Sequence, residues 1–445
     1  IVAEDCVLAT NTSSLLVTAI AAAASAPERV VGMHFFNPAP VMRLLEVVAG
    51  EQSSALALEV AHATGEAMGK TVIRASDGPG FLVNRSNRPF GLESLRLLAE
   101  QIADAPTIDR ICRMEGGFRM GPFELMDLVG VDVGFEISKS FFEQSFGEPR
   151  WRPSPISARY VAAGLHGRKT KRGYYSYEAG KGADGAPGHR PPDPDPREAK
   201  RPATGEGVIV IAGSGVIAEE LRHHAAQAGY EVRSPHDPTG GVLPALIVEC
   251  DRVPAAQGGE DPGSRERHHH PTQGGAHLVL CQAGSLGALD PAGSAVGFHV
   301  LAPLEQARLV ELTRNDSSSP VAAARAERFF AALGKHVAWV GDAPGLVLGR
   351  IVCQVINECA FSLGEGVGSA TDIDTGMVLG LSYPLGPLKW ADELGLDHVL
   401  SVLEALCAEY REERYRPAPA LRQLVAAGRL GRTTGAGFFD YDGDR

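Results

Sequence analysis

Apolar positions along the chain fall into two alternating textures. Short unbroken runs at residues 7–9, 30–33 and 44–48 predict strands buried on both faces, as in a parallel sheet. Behind them, residues 81–98, 123–146 and 156–163 carry apolar side chains at three- and four-residue spacing, which predicts amphipathic helices. The same order then returns. Residues 208–211 form a further apolar run that leads into Gly213-Ser214-Gly215-Val216-Ile217-Ala218, a helical stretch to Gly229 and a strand near 230–233. Strand, G-x-G-x-x-A and helix is the dinucleotide-binding (Rossmann-type) arrangement, in which glycines let a pyrophosphate approach the backbone at a helix N-terminus.

The two halves match residue by residue at an offset of 265. Asp77, Pro79, Gly80 and Arg85 correspond to Asp342, Pro344, Gly345 and Arg350; Glu93 to Glu358; Asp127, Gly130 and Asp132 to Asp392, Gly395 and Asp397. GRKTKRGYYSY (167–177) returns as GRTTGAGFFDY (431–441). Repeats dictate architecture. The expectation is an α/β plus all-α fold: a partial Rossmann-type parallel-sheet domain followed by a helical domain, the pair duplicated in tandem. The divisions expected are 1–76 (the C-terminal part of a first sheet domain), 77–178 (helical), 179–206 (linker), 207–341 (second, degenerate sheet domain) and 342–445 (helical). Residues 179–206 are dense in Gly, Pro and charge and suit a flexible connection. His268, His269 and His270 lie in a second polar stretch without a surrounding ligand set, and read as a solvated loop.

Charge and composition narrow the class. Hydrophobic residues make up 44% of the 445, charged residues 22%, and the net charge is −12. That balance argues against nucleic-acid or anionic-membrane partners, which need clustered positive charge. The longest apolar stretch, near 15–24, falls short of a bilayer span. Seven scattered cysteines without a C-x-x-C pair indicate neither a disulfide framework nor a zinc site, and a reducing cytoplasm fits. No metal is expected.

Chemistry concentrates in HFFNPAPVMRLLEVV (34–48): one histidine, a proline-stiffened turn and a return on an apolar strand to a carboxylate. Any one of the fourteen histidines is more often structural than catalytic, and Glu46 alone could be a satisfied buried acid. Together with ATNTSSL (9–15) and SDGPGFLVNR (76–85), however, the run resembles the L-3-hydroxyacyl-CoA dehydrogenase family. Two such units in one polypeptide resemble a tandem bacterial form of it. The resemblance implies oxidation of a (3S)-3-hydroxyacyl-CoA to the 3-oxo ester with NAD, in fatty-acid or phenylacetate-type catabolism. His34 is then the base, a role suited to an imidazole titrating near about 6.5. Glu46 orients it and meets its charge, as in catalytic triads. Ser13 and Asn84 match groups that hold the reacting oxygen; Ser13, Asn37 and Lys169 match cofactor contacts. Dimerisation through the helical domain, usual in the family, implies an internal pseudo-dimer here and leaves a homodimer open.

The second half supplies a control. His299 and Glu311 persist, but Ala302, Gly349 and Thr433 replace Asn37, Asn84 and Lys169, and Gly284 stands at the position of Ser13. No turnover is expected at His299. In its glycine turn the acidic ribose contact is replaced by Arg233 and Ser234, which reads as a decayed nucleotide fold. The first half opens at Ile1 on a core strand, so the expectation is an N-terminal truncation that leaves out its pyrophosphate loop. Two other readings stay open: a non-catalytic CoA-ester-binding protein lacking the adenosine half of its NAD site, and a dehydrogenase of free hydroxy acids.

Overall fold

The computed structural model describes residues 2–177, 204–237, 242–254, 275–291 and 293–441. The His268–His270 triplet and linker residues 179–203 lie outside these. The linker's last residues already belong to the second half, for Gly205 packs against the Tyr230 ring.

The first half begins with β1 (Leu8–Thr10), α1 (Val17–Ala21), β2 (Val30–Phe35), β3 (Leu44–Ala49), α2 (Ala55–Ala67) and β4 (Thr71–Ser76). The sheet order is β1-β2-β3-β4. The apolar runs predicted purely parallel pairing, and β1–β2 and β3–β4 pair that way, but β2 and β3 are antiparallel. The reason is the short connection from Phe36 to Arg43. A parallel crossover takes a dozen or more residues, so the chain can only turn back on itself.

Six helices follow: α3 (Val83–Ser86), α4 (Arg88–Ala99), α5 (Ala105–Met114), α6 (Pro122–Val129), α7 (Val131–Gln144) and α8 (Pro155–Ala162). The periodic stretch 123–146 is two helices rather than one, divided at Gly130, where φ is 106°. Likewise 81–98 is interrupted at Asn87, ahead of Pro89 in the first turn of α4, where a proline is tolerated because that N–H has no helical partner.

The second half holds β5 (Val208–Ala212), α9 (Val216–Gln227), β6 (Glu231–Arg233), β7 (Leu246–Glu249), β8 (His277–Leu280), α10 (Leu286–Leu289), β9 (Val296–His299), β10 (Leu309–Thr313), α11 (Pro320–Ala332) and β11 (His336–Val340). Its sheet runs β11-β10-β9-β8-β7-β5-β6. The expected strand, turn and helix are present, with Gly215 capping α9. The β8-β9-β10-β11 part repeats the first sheet, including its single antiparallel pair. Its helices are α12 (Leu348–Gly364), α13 (Ala370–Leu381), α14 (Pro387–Leu394), α15 (Leu396–Tyr410) and α16 (Pro419–Ala426).

The halves are interlocked. Helix α4 packs along α12, and buried ion pairs cross between them. Arg85 donates to Glu358 at 2.9 Å and to Glu365 at 2.7 Å; Arg350 donates to Glu93, and to Glu100 at 2.7 Å. These are the same three positions read from either half, the reciprocity that a two-fold interface imposes. Each helical segment also reaches the opposite sheet. Ser76 N–H donates to Val367 O at 2.9 Å, and Gly341 N–H to Ile102 O at 2.7 Å.

Candidate active site

The antiparallel pairing of β2 with β3 sets His34 directly opposite Glu46. Their side chains meet: Nδ1 lies 2.6 Å from Glu46 Oε2. Glu46 is fully buried, yet its other oxygen accepts from Val83 N–H at 3.0 Å and Leu82 N–H at 3.3 Å at the start of α3. Three donors thus answer the two oxygens of this buried carboxylate. It also fixes the tautomer, since a carboxylate accepts only and Nδ1 must carry the proton. Nε2 is left as the acceptor. Among the described residues it has no protein partner, and it is not a sealed atom; the His34 side chain keeps 7% of its surface.

Two aromatic rings frame the imidazole, Phe36 at 4.8 Å and Phe81 at 5.7 Å between centroids. Phe81 enters α3 from Gly80 (φ 74°), where an added Cβ would lie 1.9 Å from the Phe141 ring; only glycine fits that crossing. Neither phenylalanine was singled out from the sequence, because an aromatic at an apolar position reads as core. Lys70 was missed too. Its ammonium donates to Ala39 O at 2.6 Å and Met42 O at 2.7 Å and pins the 36–43 turn. Lys335 does the same for Leu304 O and Ala307 O in the other half.

The remaining site residues separate into two groups. Ser13 is exposed just past the end of β1, beside Asn11, whose Oδ1 accepts from Phe35 N–H at 2.9 Å. Asn84 follows Val83 on α3 and is half-buried; Asn37 is exposed at the turn after β2. None of these three side chains makes a hydrogen bond within the described residues. Free polar groups at the carboxyl ends of strands suit the nicotinamide end of a dinucleotide and a substrate oxygen. Lys169 is not brought to this group. It pairs with Asp132 at 2.6 Å, at the first turn of α7, whereas the last residue of that helix, Gln144, donates to Ser14 O at 2.9 Å. The helix between them is about 20 Å long.

At the second site the backbone register is the same, Glu311 opposite His299, but no hydrogen bond joins the side chains. Both ring nitrogens of His299 are buried without a partner. Burial, and secondarily His398 with its ring 5.3 Å away, push the His299 pKa well below the ordinary range. Gly349, at the position of Asn84, lies against that ring; a Cβ there would be 2.2 Å from Cε1. Glu311 accepts from Val347 and Leu348 N–H, both at 2.8 Å. Burial pushes its carboxyl up to about 8, and the Glu115 carboxyl of the first half lies close beside it.

Among the described residues no group of three or more His, Cys, Asp or Glu could hold a metal ion, and no helix is long and apolar enough to cross a membrane. All seven cysteines are unpaired.

A sheet that presents an oriented, open imidazole beside a helical segment suits an α/β enzyme that moves protons, as dehydrogenases do. Comparison with known proteins makes this specific. Residues 1–78 match the NAD binding domain of 3-hydroxyacyl-CoA dehydrogenase, and residues 80–177 and 345–441 each match its C-terminal domain. The chain belongs to the 3-hydroxyacyl-CoA dehydrogenase family. It is 34% identical over 416 residues to the 3-hydroxyadipyl-CoA dehydrogenase of Escherichia coli K12, covering 94% of this chain and 74% of that one. The 3-hydroxybutyryl-CoA dehydrogenase of Clostridioides difficile is 38% identical over 39% of this chain and 62% of its own. A crystal structure of 3-hydroxybutyryl-CoA dehydrogenase from E. coli K12 superposes with a TM-score of 0.71 at 33% identity, covering 95% of this chain and 76% of that one.

Proposed function

We propose that this chain oxidises a (3S)-3-hydroxyacyl-CoA to the 3-oxoacyl-CoA, in fatty-acid or phenylacetate-type catabolism, with His34 as the base. The observation that carries the reading is the Nδ1–Oε2 bond of 2.6 Å with Nε2 left open. Bound NAD supplies the hydride acceptor. The chain's own residues handle the proton. Ser13 Oγ and the Asn84 amide hold the alcohol oxygen, Nε2 takes its proton as the carbon–hydrogen bond breaks, and Glu46 stabilises the imidazolium so formed. In reverse, Nε2–H returns the proton to the ketone oxygen. Asn37 borders the cofactor beside the histidine. Lys169 can reach it only after leaving Asp132, so its contact belongs to a closed form of the cleft between sheet and helices. The name of the E. coli relative makes 3-hydroxyadipyl-CoA the first substrate to try.

The divisions 1–76, 77–178, 207–341 and 342–445 are read as two copies of one two-domain unit in tandem, with the helical domains as an internal pseudo-dimer. The reciprocal pairs of Arg85 and Arg350 support this. Unpaired cysteines throughout favour a cytoplasmic setting.

The test is NADH oxidation with acetoacetyl-CoA by the chain and by its His34→Ala variant, which is expected to lose about 10²–10⁴-fold in kcat. Unchanged turnover in the variant overturns the assignment. A second reading, a CoA-ester-binding protein without turnover, is favoured by Lys169 being held on Asp132 away from the other site residues. It predicts acetoacetyl-CoA binding by calorimetry with no NADH oxidation in either chain.

A further inference from the structure

Helix α13 belongs to the second half, yet one of its faces lies on β3, β4 and α3 of the first. Gly376 and Gly380 stand one turn apart on that face. A Cβ at Gly376 would meet Val83 Cγ2 at 2.6 Å and Ile73 Cδ1 at 2.9 Å; one at Gly380 would meet Leu44 Cδ2 at 2.8 Å, Phe36 Cε1 at 3.2 Å and Val83 Cγ1 at 3.4 Å. Both sit in ordinary helical backbone, where glycine weakens a helix relative to alanine. Space, not conformation, requires them.

What they touch are the two supports of the catalytic pair. Val83 N–H holds Glu46 Oε1 at 3.0 Å, and the Phe36 ring lies 4.8 Å from that of His34. The corresponding positions in the first half, 265 residues earlier, are Ile111 and Glu115. Glu115 enters the second site, where its Oε1 accepts from Leu301 N–H at 3.3 Å, its Oε2 is buried without a partner among the described residues and its carboxyl lies beside Glu311. Small residues therefore stand over the site whose histidine and glutamate are paired, and a bulky acid over the one where they are not. We infer that Gly376 and Gly380 are positioning residues for His34 and Glu46, so that the half without a working pair completes the site of the half that has one. This rests on the function proposed above.

The test uses the full chain and two readouts. One is the downfield proton resonance of His34 Nδ1–H, assigned by its loss in His34→Gln; the other is steady-state turnover of acetoacetyl-CoA with NADH. Gly380→Ala is expected to displace or broaden the resonance and to lower kcat roughly tenfold or more, since small misplacements of a catalytic group are that costly, with KM little changed. Gly341→Ala, which presses a different crossing between the halves, 3.0 Å from Ile102 Cα, is expected to leave both readouts alone. If Gly380→Ala does not fold, Gly376→Ala is read in the same way. A wild-type resonance and kcat in either folded variant overturns the inference, as does an equal change in Gly341→Ala. Loss of turnover in His34→Ala with none in Gly380→Ala sinks this inference alone; retained turnover in His34→Ala sinks the function instead. The resonance decides even where turnover is absent.

Discussion

At His34 a single bond decides which nitrogen is basic, and the charge behind that bond decides how well the proton is kept. Glu46→Gln can still accept from Nδ1–H but offers the imidazolium no charge. Its NH2 then faces the Leu82 and Val83 N–H donors, so we expect kcat to fall by about 10²–10⁴-fold and the melting temperature to drop with it, read by kinetics and calorimetry on the same sample. His299 is the opposite case, fully buried with two unanswered nitrogens. Replacing it by an apolar side chain of similar size removes the desolvation penalty. His299→Met is expected to stabilise the fold by about 1–3 kcal/mol in urea unfolding without lowering turnover. The His34–Glu46 pair was legible in the sequence because strand alternation across one short turn brings the two residues together whatever the rest of the chain does. Glu115 at the second site was not legible. Its contact with Leu301 spans 186 residues and exists only because two separately folded segments pack.

Among elements, the contact of α4 with α12 carries a cluster of buried charge. Arg350 is fully buried and is answered by Glu93, Glu100, Tyr410 and Tyr415. Removing one partner leaves a cation short of an anion in a medium that cannot solvate it. Glu93→Ala is expected to destabilise the chain by about 3 kcal/mol or more, seen as a lower urea midpoint; Glu28→Ala, on the exposed surface, should change it little. The arginines and glutamates were visible as matched repeat positions, but their partners were not, because a repeat shows what is kept and not what touches. Helix periodicity located the helical segments. It could not divide 123–146, since Gly130 occupies one position in an otherwise unbroken pattern and its left-handed backbone leaves no mark on the spacing.

Across the whole molecule, buried acids and buried histidines pull stability in opposite directions with pH. Burial raises Asp109 to about 7 and Glu311 to about 8. The folded chain therefore keeps protons that the unfolded chain releases near about 4, and stability should fall as pH rises from about 5 to 8. His398, lowered to about 4 by burial, acts in the other sense. The unfolded chain takes up its proton below about 6.5, so stability should also fall as pH drops from there towards 4. The two effects oppose each other between about pH 5 and 6.5 and only the acids act above it, so urea unfolding should show stability falling from about pH 6.5 to 8, and Glu311→Gln should flatten that fall. The interlocking of the halves makes a further expectation: with a protease site placed between residues 178 and 203, the cleaved chain should still elute as one species. Separation at moderate salt would count against the pseudo-dimer. The recurrence of a sheet segment followed by a helical one was readable from the 265-residue offset, whereas the crossing of each helical segment onto the opposite sheet was not.

The glycine at 349 also limits what a single substitution could rebuild at the second site. Any side chain there would collide with the His299 ring, since a Cβ would lie 2.2 Å from Cε1. Gly349→Asn alone would therefore drive the imidazole out of its place instead of supplying it with an amide neighbour.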